Sequence, residues 1–134
     1  MEWKLEVVPI PVTDVERAKK FYSEQAGFSV DIDSQVSEDV RMVQLTPPGS
    51  ACSIHLNTGI AGPPPGTVKG LQIVVPDIEA ARNELLERQV NVSPVQHYEG
   101  SELVDGPGGR WNSFVFFDDP DGNGWVLQER AEGE

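Results

Sequence analysis

An internal repeat is what most constrains this chain. "LQIVVPDIEAARNELLERQV", from Leu71 to Val90, carries the punctuation of "IPVTDVERAKKFYSEQAGFS", which starts at Ile10. At an offset of 63, Ile10 pairs with Ile73, Val12 with Val75, Asp14 with Asp77, Glu16 with Glu79, Ala18 with Ala81 and Glu24 with Glu87. Each copy reads as a strand running into a helix. Val15, Ala18 and Tyr22 form one apolar stripe at helical spacing, and Ile78, Ala81 and Leu85 the other. Thr13 and Glu16 have the spacing of a capping box, and Asp77 is placed to cap the second helix.

Strand candidates divided by turn residues follow each helix. In the first half they are "FSVDI", "VRMVQL" and "CSIHL"; in the second, "VNVSPVQHY", "WNSFVFF" and "GWVLQE", with "DDPDGNG" as a turn before the last. Each half is thus predicted as βαβββ. A half of roughly 60 residues buries only about 60% of its unfolded surface, so two halves packed as one domain over residues 1–134 are expected. Module one covers about 4–58, a proline- and glycine-rich linker about 59–68, and module two about 69–130. The fold class is α+β: two βαβββ modules in tandem, forming cupped antiparallel or mixed sheets with helices on the outer face. "YEGSELVDGPGGR" is expected as a mobile loop, and the terminal "RAEGE" as the segment closest to disorder.

Twenty-two acidic against 10 basic residues give a net charge of −12, which argues against a nucleic-acid partner and either favours a cationic ligand at long range or serves only solubility. No apolar run approaches the roughly 18 residues of a membrane span, and "MEWKLEVVPI" lacks the order of a secretory signal, so a cytoplasmic location is expected. Cys52, the single cysteine, excludes an internal disulfide and is read as a buried structural thiol.

Period-2 alternation assigns the cavity-facing residues. If Val8, Ile10 and Val12 pack on the first helix, then Val7, Pro9 and Pro11 face away from it; by the repeat, so do Gly70, Gln72 and Val74. The same rule directs His55 to the cavity beside Ser53 and Asn57, and sets Gln72 and Gln128 in facing positions. These two glutamines either orient a ligand or bond each other. His97 and Tyr98 precede the glycine-rich stretch and Trp111 follows it, a placement suited to stacking on a flat ligand, or to plugging a rim. Trp125 is assigned to the core, and Asp119 and Asp121 to turn acceptors in "DPDG" rather than to catalysis.

With "DVERAKKFYSEQAGF", "DIEAARNELLERQV" and "DPDGNGWVLQE" in this order, the chain resembles the vicinal oxygen chelate superfamily from about Leu5 to Glu129. That superfamily includes glyoxalase I, the bleomycin-resistance proteins and extradiol dioxygenases. The resemblance implies paired βαβββ modules, a homodimer, and four metal-ligand positions on the first and fourth strands of each module. Those positions hold Val7, His55, Gly70 and Val126. One imidazole is too little for a divalent ion that usually takes about three protein ligands, so no metal and no cofactor are expected. The resemblance then implies a binder of an aromatic or cationic small molecule, conferring resistance by sequestration. The ligand-binding candidates are His55, Trp111, Gln72, Asn57, Gln128, His97, Tyr98, Val7 and Pro9. Two alternatives stay open: an enzyme on the same fold, with an atypical metal or with His55 as acid/base, and a protein-interaction module with a vestigial cavity.

Overall fold

The computed structural model describes residues 1–58 and 62–133. Residues 59–61 of the expected linker, and the last residue of "RAEGE", lie outside the described residues. Two helices and two mixed sheets make a tandem α+β fold. The chain divides into two units, Met1–Val68 with Asp119–Asn123, and Lys69–Asp118 with Gly124–Glu134.

In the first unit, β1 (Val7–Pro11) leads to α1 (Val15–Lys20), which runs on into a π-helical turn, Phe21–Gln25. Strands β2 (Ser29–Gln35), β3 (Arg41–Thr46) and β4 (Ser53–Asn57) complete a sheet of order β1-β4-β3-β2, parallel only between β1 and β4. Ile10, Val43, Leu45, Ile54 and Leu56 are buried with Ala18, Phe21 and Tyr22 from the helical segment. Each such aliphatic side chain contributes about 1.5–3 kcal/mol on burial. At the sheet's edge, Arg41 bridges Asp33 and Glu16, and Lys19 also reaches Asp33. The Arg41 guanidinium, then Lys19, holds the Asp33 carboxyl far below the usual carboxylate range.

The second unit repeats the plan with β5 (Leu71–Val75), α2 (Ile78–Glu87), β6 (Gln96–Glu99), β7 (Glu102–Asp105), β8 (Phe114–Asp118) and β9 (Gly124–Glu129), in the order β5-β9-β8-β6-β7. Its core holds Ile78, Leu85, Val115, Phe117, Trp125 and Leu127, with Trp125 stacked on Phe117 at 6.2 Å.

The structure corrects three expectations. The second half is βαββββ, because Glu102–Asp105 of the supposed mobile loop pairs with β6 as an edge strand. Its hairpin turns at Gly100 and Ser101, and Gly100 takes the positive φ of 65° that such a two-residue turn requires. The first helix is capped by Asp14, not Thr13: the Asp14 carboxylate accepts from the Arg17 N–H at 3.0 Å. Asp77 does the same for Ala80. Thr13 instead donates its hydroxyl to Asp121 at 2.7 Å. Finally, Cys52 is half-buried rather than buried, because it lies just outside the start of β4.

The turn Asp119–Asn123 belongs to the first unit through side-chain bonds. Tyr22, fully buried, donates its hydroxyl to Asp119 Oδ2 at 2.7 Å. Asn123, also fully buried, donates Nδ2 to the Pro11 carbonyl at 3.0 Å, and its Oδ1 accepts from the Gly66 and Val68 N–H groups. Gly66 has φ of 83° and lies so close to the Asp121 carbonyl that a Cβ would collide with it.

Candidate ligand-binding faces

Each sheet buries one face under its own helix and leaves the other open, and alternation decides which side chains stand on it. In the first unit, cross-strand pairing sets Pro9, His55, Gln44 and Ile32 in one transverse row. Pro11, Asn57 and Met42 form the next. His55 Nε2 lies 3.1 Å from Gln44 Oε1. Val7 pairs with Ser53, whose buried hydroxyl bonds Thr46 at 2.7 Å, and Asp31 also engages Thr46. Asp31 sits at a register shift in β2, the device that turns Ile32 onto the open face.

In the second unit the row equivalent to Pro9, His55 and Gln44 is Gln72, Val126 and Phe116. The next is Val74, Gln128, Phe114 and Gln96. Tyr98 joins this face by alternation and packs edge-on against Phe114 at 5.4 Å; Phe114 stacks on Phe116 at 6.3 Å. A run of three aromatic rings therefore crosses the open side of the sheet, and Tyr98 is 43% exposed at its end. Gln72 donates Nε2 to Gln128 Oε1, and Gln128 donates Nε2 to the Trp111 carbonyl at 2.7 Å. Trp111 is 37% exposed and holds a left-handed backbone with φ of 58°.

The sequence candidates thus fall into groups. Val7, Pro9, His55 and Asn57 share the first unit's open face, while Gln72, Gln128 and Tyr98 share the second unit's, with Trp111 tied to it through its carbonyl. His97 does not join them. It points to the opposite side from Tyr98, with Nδ1 2.7 Å from the Gly106 carbonyl and Nε2 2.8 Å from Glu99 Oε2. Two acceptors on two ring nitrogens favour the doubly protonated form, so the Gly106 carbonyl, then Glu99, raises its pKa above the ordinary value. Phe114, Phe116 and Gln44 were missed. The signal was present in "FVFF", where the buried Val115 and Phe117 leave Phe114 and Phe116 to the other face.

The metal-ligand positions do not fit a divalent ion. In the first unit Val7 has no donor, and His55 is paired with Gln44. In the second, Gly70 and Val126 have none. Among the described residues, no group of three or more His, Cys, Asp or Glu could hold a metal.

The model of the glyoxalase/bleomycin resistance protein/dioxygenase superfamily matches residues 4–127. The chain belongs to this superfamily. Similar solved structures agree with that membership. An antibiotic binding protein, TnmS3 from Streptomyces sp. CB03234, is 32% identical, with a TM-score of 0.77 over 97% of this chain and 98% of that one. A glyoxalase/bleomycin resistance protein from the same organism is 33% identical, with a TM-score of 0.73 over 93% and 99%. A superfamily member from Sphaerobacter thermophilus DSM 20745 is 28% identical, with a TM-score of 0.76 over 96% and 98%. No curated protein gave a match. Among the described residues of this superfamily member, no helix is long and apolar enough to cross a membrane.

Proposed function

We propose that this superfamily member binds an aromatic small molecule without converting it, and confers resistance to an antibiotic or toxin by sequestration. The observation that carries this reading is the run Tyr98, Phe114 and Phe116 on the open face of the second sheet. Aromatic faces offer rigid apolar area to a flat ligand and add about 0.5–1.5 kcal/mol per pair beyond burial. Beside them stand amides that orient but do not react, and Val126 where the metal-binding relatives have a donor. The similarity to an antibiotic binding protein supports the same reading. His55 and Asn57 offer a second polar set on the first sheet's face. A homodimer in the cytoplasm is part of the proposal.

The test is titration with a panel of natural-product antibiotics, followed by tryptophan quenching and thermal shift, on the wild type and on Phe116→Ala, Trp111→Ala and His55→Ala. At least one compound should bind, with Phe116→Ala weakening it about tenfold, as loss of one stacking partner predicts. A panel without a binder, or about one firmly bound metal per chain whose chelation abolishes a catalytic activity, would sink the sequestration reading.

A further inference from the structure

The amides beside the aromatic run have a direction, and the direction can be deduced. A backbone carbonyl only accepts, so Gln128 must turn its Nε2 to the Trp111 carbonyl, 2.7 Å away. That orientation puts Gln128 Oε1 toward Gln72, and Gln72 must answer with its own Nε2. The usual ambiguity of amide orientation is removed along the whole chain by its carbonyl end. Both glutamines therefore give a donor inward, and Gln72 Oε1 is left as the outward acceptor. Among the described residues nothing donates to it, and Gln72 is exposed on the face that carries Phe116.

We infer that this face selects ligands in which a flat aromatic system carries a hydrogen-bond donor, a hydroxyl or an N–H, at its edge. The ring plane lies along Phe114 and Phe116, and the donor is received by Gln72 Oε1. A ligand offering only an acceptor at that edge leaves Gln72 Oε1 unanswered and must take the second N–H of an amide whose nitrogen already serves Gln128, so it binds less tightly. The inference rests on the sequestration reading and names the class of molecule that the site takes.

The experiment uses 1-hydroxypyrene and 1-methoxypyrene, which share a ring system and differ in the donor. Affinities for the wild type and Gln72→Leu are measured by fluorescence, with unfolding midpoints checking that the variant is folded. The hydroxyl compound should bind the wild type about three- to tenfold more tightly, the range expected for one net hydrogen bond. That preference should vanish in Gln72→Leu, which keeps the bulk of the side chain and removes the acceptor. Equal binding of the two pyrenes to the wild type overturns the inference and leaves sequestration standing. A preference that survives Gln72→Leu overturns it as well. If neither pyrene binds, the inference also fails, and the antibiotic panel decides separately on sequestration.

Discussion

The carboxylate of Asp119 receives four donors: the Tyr22 hydroxyl, Asn123 Nδ2, and the backbone N–H groups of Asp121 and Asn123. It is 5% exposed, so water cannot replace a lost partner. Asp119→Ala should cost about 3 kcal/mol in urea unfolding, because it strands buried donors. Tyr22→Phe should cost about 1 kcal/mol, since the carboxylate keeps its other bonds. At His97 the prediction concerns pH. Its folded pKa is raised by the Gly106 carbonyl and then by Glu99, so the protonated ring stabilises the fold. That contribution is complete below the ordinary value of 6.5 and is lost as pH rises through the folded value. Amide-exchange protection factors in β6 and β7 should fall across that window, and His97→Gln should remove the dependence.

The helices show how one repeat can end in two ways. Helix α2 closes with Arg88, after which Gln89 takes φ of 65°; the Gln89 N–H bonds Leu86 and the Val90 N–H bonds Leu85. This is a Schellman closure with a non-glycine residue in the left-handed position. The first helical segment contains one more residue before its left-handed residue, Gly27, and absorbs it as a π turn with Ala26 bonded to Phe21. Phe21 and Tyr22 within this turn are buried, and Tyr22 reaches Asp119. Gln89→Gly should therefore stabilise the protein by about 0.5–1 kcal/mol in thermal or denaturant unfolding. No matching gain is available at Gly27. The extra strand β7 was also written locally, since Gly100 and Ser101 have the chemistry of a two-residue hairpin turn between "QHYE" and "ELVD". The glycine-rich composition of the surrounding stretch hid it.

At the scale of the whole chain the dominant quantity is charge. A net charge of −12 repels itself, and salt shortens the range of that repulsion to about 10 Å at 0.1 M. Raising sodium chloride from about 0.02 to 0.3 M should raise the melting temperature by roughly 4 °C, the equivalent of about 1 kcal/mol for a chain of this size. A fall instead would show that exposed pairs such as Arg41 with Glu16 outweigh the repulsion. The sequence alone determined the duplication, the second helix's start at Asp77, and the alternation that separates core from open face. These are legible because they depend on period and on residue chemistry within a few positions. Only the tertiary structure decided that Thr13 serves Asp121 rather than its own helix. It likewise decided that Gln72, Gln128 and Trp111 form one directed chain. Those outcomes depend on which groups distant in sequence arrive within about 3 Å, the reach of a hydrogen bond, and no local pattern records that.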